Sequence, residues 1–280
     1  SFGYQDMVQG TLDAYLSTEY TLTLFTTPYF LPSKLPFPAD GSTLVETRPE
    51  RRWSDSEVGL RLNRVGGTLD WSVSYYHGYN LLPEIHPLGW TPTGPLLELR
   101  YAQIDVFGAD LAQNFGRYGV RAEAAYIRPQ DYQANQPAGI TPYLYLVAGV
   151  DRTFLANLNV NLQVVSRWVQ DYKDPEAVAD PLLRAAAVQN AITFGQQDRA
   201  NYGMTTRISN KWYNDTLTAE VLAFVNLKRT NSYIRPLISY AFTDHVTATL
   251  GAELYHGADD TFFGRVRRNQ SAFAEVRYSF

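Results

Sequence analysis

The chain has no cysteine, two methionines and four histidines in 280 residues, and these shortages remove whole classes of chemistry. Without thiols there is no disulfide framework, no thiolate metal site and no c-type haem attachment. The lack also suits an oxidising envelope compartment, where free thiols are a liability. His77, His86, His245 and His256 are scattered and show no H-x-x-x-H spacing, so no transition-metal site is expected. Adjacent Asp259 and Asp260 fall short of a calcium shell. No cofactor is expected. Long apolar runs are missing too: mean hydropathy is -0.27, and nothing approaches the ~18 apolar residues of a membrane helix. A net charge of -4 with pI near 5.6 argues against nucleic acid as a partner. No basic leader precedes Ser1, as expected of a mature or trimmed chain.

What is present is alternation. Ala272, Ala274, Val276, Tyr278 and Phe280 alternate with Phe273, Glu275, Arg277 and Ser279, one face apolar and the other bearing charge. The same period recurs along the chain and predicts thirteen strands, whose apolar sets are as follows. They are Val8, Gly10, Leu12, Ala14, Leu16; Tyr20, Leu22, Leu24; Val58, Leu60, Leu62; Leu69, Trp71, Val73, Tyr75; and Ala102, Ile104, Val106. Next come Val120, Ala122, Ala124, Tyr126; Leu144, Leu146, Ala148, Val150, Phe154; Leu158, Val160, Leu162, Val164; and Met204, Thr206, Ile208, Trp212. The last are Leu217, Ala219, Val221, Ala223, Val225; Ile234, Ile238, Tyr240, Phe242; Val246, Ala248, Leu250, Ala252, Leu254; and the terminal set.

The terminal segment resembles the closing strand of a Gram-negative bacterial outer-membrane β-barrel. In that family the final aromatic, here Phe280 with Tyr278, is the signal for the barrel-assembly machinery. Pro28–Pro36 bears a loose similarity to uncharacterised envelope barrels that assigns no activity. The implied fold is all-β: a transmembrane, antiparallel, up-and-down barrel of about 12–14 strands, residues 1–280 forming one domain. Two sequence features agree. Short connections near 17–19, 65–67, 112–117, 155–157, 213–216 and 243–245 alternate with others near 28–55, 77–96, 127–141, 170–199, 228–232 and 256–269, as periplasmic turns alternate with extracellular loops. Aromatics form two girdles, Tyr20, Phe154, Trp212, Phe242, Tyr278 and Phe280 at one end and Tyr75, Tyr126 and Trp168 at the other, as membrane interfaces favour. Bacterial barrels close with an even count. Either a strand lies upstream, or Val8–Leu16 is not a strand and twelve close the barrel.

Two segments break the pattern. Asp180-Pro181 opens a run of helix formers to Ala191, with an N-cap and Pro at the first position; this helix in the 170–199 loop either plugs the pore or caps the extracellular loops. The apolar, proline-punctuated 28–38 loop cannot pair as a central strand and is expected to fold inward or pack on another loop.

Parity turns charge to the face opposite the apolar stripe: Arg61, Asp70, Asp105, Arg121, Glu123, Asp151, Arg167, Arg207, Lys211, Glu220, Arg235, Glu253, Glu275 and Arg277. An Arg or Lys facing hydrocarbon costs roughly 2–4 kcal/mol at the midplane, so these residues are read as pore-lining. Near-balance in sign predicts a weakly selective, porin-like channel for small polar solutes; the alternative is a paired-charge network that stiffens a filled lumen. Arg265, Arg267 and Arg268 suit lipopolysaccharide phosphates or pair within their own loop. Membrane lipid, a second copy of the chain or an envelope protein are the expected partners, and a scaffold for a partner such as a cytochrome is the alternative role. A lipid-modifying enzyme is the third reading, but Ser72 and Ser74 have the parity opposite to an outer-wall His77, and no catalytic constellation emerges.

Overall fold

Alternation becomes a ladder of paired strands. The structure, a computed structural model, describes residues 10–28, 30–33, 41–50, 52, 55–133, 136, 138–155 and 157–279. Its strands are β1 (Gly10–Tyr15), β2 (Tyr20–Thr27), β3 (Thr43–Thr47), β4 (Glu57–Arg64), β5 (Asp70–Tyr79), β6 (Glu84–Thr91), β7 (Gly94–Arg100) and β8 (Gln103–Phe115). They continue as β9 (Tyr118–Pro129), β10 (Tyr143–Phe154), β11 (Leu158–Val169), β12 (Ala200–Trp212), β13 (Leu217–Asn226), β14 (Asn231–Ala241), β15 (Val246–Gly257) and β16 (Ser271–Tyr278). The helices are α1 (Pro181–Thr193) and α2 (Phe262–Arg265).

One antiparallel sheet of thirteen strands has the order β1-β2-β4-β5-β8-β9-β10-β11-β12-β13-β14-β15-β16. Its members are the thirteen strands expected from alternation. Closure of this sheet into a barrel is not seen among the described residues. Val8 and Phe280 lie outside the described residues. β3, β7 and β6 form a second sheet, in which β3 runs parallel to β7 and β6 antiparallel to it. The chain divides into two compact units: Ser1–Leu111, Glu123–Leu146 and Arg167–Ala200 form one, and Ala112–Ala122, Val147–Ser166 and Asn201–Phe280 the other.

Each strand of the large sheet has two unlike faces. Exposed Leu60, Val73 and Tyr75 in the first unit, and Val164, Ile208, Val221, Ile238 and Leu250 in the second, lie on what is here termed the apolar face. The alternate residues form the polar face. Strand β8 departs from the expected parity. Ala102 and Ile104 are buried in a cluster with Ile127 and Ile140, whereas Phe107 and Leu111 are the exposed residues. Asp105 therefore does not share a face with the other expected lining residues: its carboxylate accepts from Tyr75 and contacts His77 on the apolar face. Asp110 takes the polar-face position instead, bonded to Ser72.

Glycines are also sorted by face. Gly59, Gly78 and Gly108 in the first unit, and Gly119, Gly149, Gly203 and Gly251 in the second, fall on the polar face. At Gly59 an added Cβ would meet the Phe25 ring at 2.0 Å, and at Gly251 the Phe273 ring at 2.5 Å. Glycine here makes room for a cross-strand neighbour to lie flat against the backbone.

In the first unit, α1 starts as its sequence predicts, with the Asp180 side chain accepting from the Leu183 N–H and Pro181 in the first turn. It runs on to Thr193, two residues past the expected end. The loop residue Phe30 packs on Tyr79 and Tyr101 at 5.5 and 4.8 Å; positions 29 and 34–40 lie outside the described residues.

Candidate functional site

The polar face of the first unit is built from charge at one end of its strands and aromatic carbon at the other. Arg61 on β4 donates from Nε to Ser72 Oγ at 3.0 Å and from its terminal nitrogen to Asp110 at 3.1 Å. The Ser72 hydroxyl donates to the same carboxylate, so one bridge ties β4, β5 and β8. Toward the loops, Tyr76, Val106, Ala125, Tyr143, Tyr145 and Phe194 pack on the cluster of Ala102, Ile104, Ile127 and Ile140. Arg167 lies 4.8 and 5.2 Å from the Tyr143 and Tyr145 ring centroids, within cation–π range, and donates to the Phe194 carbonyl. Phe194 directly follows α1, so the end of this helix is folded onto the polar face.

Amide side chains fix that helix. Asn190, 4% exposed, accepts from the Ile85 N–H at 2.9 Å and donates to the carbonyls of Ile85 and Ala138 at 2.9 and 2.6 Å. Gln196 makes the same two-way contact with Thr141. Glu84, also buried, accepts from the Ile140 N–H at 2.8 Å and pairs with His86 at 2.7 Å. The cavity beside Asn190, Ile140 and Gln196 is about 30 Å³, room for about one water and too small for a solute. On β3, Glu46 pairs with Arg48 at 2.7 Å and accepts from the Tyr101 hydroxyl at 2.7 Å. The Arg48 hydrogen bond holds the Glu46 carboxyl below its ordinary value, while burial pushes the Tyr101 hydroxyl up.

On the apolar face of this unit, His77 Nδ1 is 2.9 Å from Asp105, and Gln103 lies 3.0 Å from the other ring nitrogen. Gln130 reaches both His77 and Asp105 at 3.2 Å. Ser72 and Ser74 sit on the opposite face of β5 from His77, so neither can serve this imidazole as a nucleophile.

In the second unit, Arg207 and Glu220 form a two-pronged pair at 2.6 and 2.9 Å. Glu253 is held differently. The Tyr233 and Tyr255 hydroxyls stand 3.4 and 3.3 Å from its two oxygens, and Arg235 Nε is 3.9 Å away, beyond direct hydrogen-bond length. Arg235 lies over the Phe273 ring at 5.6 Å. Above them, Phe263 of α2 packs on Tyr233 at 5.9 Å, Tyr255 at 6.0 Å and Phe224 at 5.7 Å. Gly264 permits that placement, since a Cβ there would meet the Ala258 carbonyl oxygen at 1.8 Å.

The remaining expected residues fall into several groups. Arg121 and Glu123 are exposed, and neither forms an ion pair among the described residues. Asp151 lies against Gly119. Lys211 pairs with Asp215 at 3.4 Å, and Arg277 with Glu275 at 3.2 Å. Asp70 accepts from the Gly66 N–H at 2.8 Å and so braces its turn. In the arginine cluster, Arg265 donates to the Asp259 carbonyl and Arg267 pairs with the Asp259 carboxylate at 3.0 Å. Burial lowers the Arg265 guanidinium from its ordinary value. Arg268 is exposed and forms no ion pair among the described residues. Tyr278 is exposed beside His245.

Sequence reasoning missed the Ser72–Asp110 bridge and the ring cluster around Glu253, although Tyr233, Arg235, Glu253 and Tyr255 share the same parity. It also missed Arg152, a charge on the apolar face whose guanidinium lies 4.6 Å from both the Tyr118 and Phe154 rings. No protein-family model matches this chain, and no curated protein matches it.

Proposed function

We propose that the chain forms the wall of an outer-membrane β-barrel of a Gram-negative bacterium and acts as a passive, porin-like channel for small polar solutes. One observation carries this reading: the strands of the large sheet set an exposed apolar face against a face that carries charge, part of it paired. Phe107, Ile208 and Val221 are between 40 and 52% exposed, on strands whose other face holds Asp110, Arg207 and Glu220 of the pairs Arg61–Asp110 and Arg207–Glu220, and Val73, Val164 and Leu250 repeat that exposure on three further strands. In water so extended an apolar surface is an aggregation hazard; in lipid it is the required solvent.

Three further features agree. Short connections (116–117, 155–157, 213–216) alternate with long ones (80–102, 130–142, 170–199), the asymmetry of such barrels. Glycines gather on the polar face, which a curling sheet would crowd. Arg152 stands at the short-turn end of β10 beside Phe154, where an interfacial cation belongs. The charge pairs give balanced walls and weak ion selectivity, with the α1 and α2 segments narrowing the passage. Thirteen strands call for at least one more to close with an even count, supplied by a further segment or a partner chain. Tyr278 and Phe280 serve as the assembly signal, and Arg268, exposed and without an ion pair among the described residues, is the residue of its cluster with charge to offer a lipopolysaccharide phosphate.

Single-channel recording in planar bilayers tests the reading. Ohmic openings whose size or selectivity shifts in Arg121→Glu or Glu123→Lys are expected. A correctly inserted protein without conductance would overturn it and favour a scaffold.

A further inference from the structure

Arg152 puts a charge on the apolar face of the second unit, two residues before the end of β10. Val150 and Phe154, which share its parity, are exposed apolar residues. The guanidinium is clamped: it lies 4.6 Å from the centroids of both the Tyr118 and Phe154 rings and donates to the Tyr118 hydroxyl. A cation that only reaches for bulk water gains nothing from so fixed a pose. No carboxylate accounts for it either. Asp151, next in sequence, has the opposite parity and lies against Gly119 on the polar face, and Arg152 forms no ion pair among the described residues.

Of the five N–H donors of a guanidinium, one goes to Tyr118, and the Nε donor is buried without a partner. The remaining donors, all on the terminal nitrogens, are left for a ligand. The exposed Tyr118 hydroxyl accepts from Arg152 and so keeps its own proton for another acceptor. Arg117, exposed in the two-residue turn next to Tyr118, is a second cation without an ion pair among the described residues. Two guanidinium groups and a phenol with no acid beside them suit an anion with several acceptor oxygens, as a phosphate group has. A soluble phosphate would leave bare the exposed apolar residues that continue along β10 and β11, namely Val150, Leu162 and Val164. A phosphate carried on acyl chains satisfies the donors and covers that surface.

We propose that Arg152, Tyr118 and Arg117 form a binding site for the phosphate of an anionic phospholipid from the leaflet on the short-turn side, the acyl chains lying along Val150, Leu162 and Val164. This rests on the apolar face meeting lipid, and it gives one place on that face a defined lipid in place of bulk bilayer.

The test uses the full chain in dodecyl maltoside, titrated with dioleoylphosphatidylglycerol and read by native mass spectrometry. One lipid per chain is expected to be retained ahead of any further ones. Arg152→Ala should weaken that retention about tenfold or more, the worth of a charged hydrogen bond, and Tyr118→Phe, which keeps the ring, about two- to tenfold. Removing a cation from a lipid-facing position favours insertion, so lost retention in Arg152→Ala is not lost fold. Thr153→Ala, on the other face of β10 where Thr153 accepts from Asn159, should change nothing, which separates loss of the site from damage to the strand. Dioleoylglycerol retained as tightly as dioleoylphosphatidylglycerol, or unchanged retention in Arg152→Ala, overturns the inference. Displacement of the lipid by glycerol 3-phosphate assigns the site to a soluble anion and overturns it likewise. Lipid retention without conductance supports the site and overturns the channel, and conductance without retention does the reverse.

Discussion

Consecutive residues of β13 offer the sharpest test of which face meets lipid. Val221 is 40% exposed on the apolar face, opposite Ile208 on one side and Pro236 on the other. Leu222 points the other way, opposite Arg207 and Arg235. Val221 is close to the middle of its ten-residue strand, so Val221→Arg would place a guanidinium near the bilayer midplane at a cost of about 2–4 kcal/mol. That corresponds to about a 30- to 1,000-fold loss in the folding equilibrium constant. Leu222→Glu sets a carboxylate between two guanidinium groups in a wet lumen and should change stability by less than about 1 kcal/mol. Urea titration of folding into phosphatidylcholine vesicles measures both, read by the fluorescence of the five tryptophans. If Val221→Arg fell within about 0.5 kcal/mol of the parent, the range of an ordinary water-exposed substitution, the apolar face would not touch lipid. The membrane assignment would then fail.

The same strand pattern explains what was and was not legible in the sequence. The twelve strands of the large sheet other than β8 kept their expected parity because one side of each is mainly apolar, with Arg152 and His77 as exceptions at strand ends, and the other carries polar groups, as with Val221 and Glu220. In β8 the two aspartates have opposite parity: Asp105 lies with Tyr75, Asp110 with Ser72. Ile104 and Val106 are apolar on the polar face because the Phe194 end of the α1 segment packs there, so alternation reverses its meaning along a single strand. The β3-β7-β6 sheet was illegible for another reason. Leu96, Leu97 and Leu99 do not alternate cleanly, Pro87 interrupts β6, and β3 pairs with β7 across some fifty residues of chain, which no local period encodes. The charges of the candidate site were readable one by one through parity. Their pairing was not, because Arg207 reaches Glu220 and Arg61 reaches Asp110 by strand register, which turn geometry sets. Phe263 comes onto its ring cluster by way of a loop whose path depends on Gly264 having no side chain.

Two further outcomes follow from the loops of the first unit. Asn190→Leu removes three buried hydrogen bonds to Ile85 and Ala138 and strands their backbone partners, a loss on the order of 3 kcal/mol. It should release α1 from the polar face, seen as faster proteolysis within 170–199 and a larger conductance, whereas unchanged values would mean that the helix is held by packing alone. The second outcome concerns acid. Hydrogen bonds from Arg48 and Tyr101 lower the Glu46 carboxyl in the folded chain, so the folded state binds its proton less readily than the unfolded state does. The resulting stabilisation is complete above the ordinary glutamate value of about 4.3 and is lost as pH falls through the lowered folded value. Hydrogen exchange in β3 and its partner β7 should therefore accelerate, beyond the intrinsic pH trend, only below about pH 4, and Glu46→Gln should abolish that extra step. A step that survived in Glu46→Gln would assign the acid response to another carboxylate and break the link between this ion pair and the docking of β3.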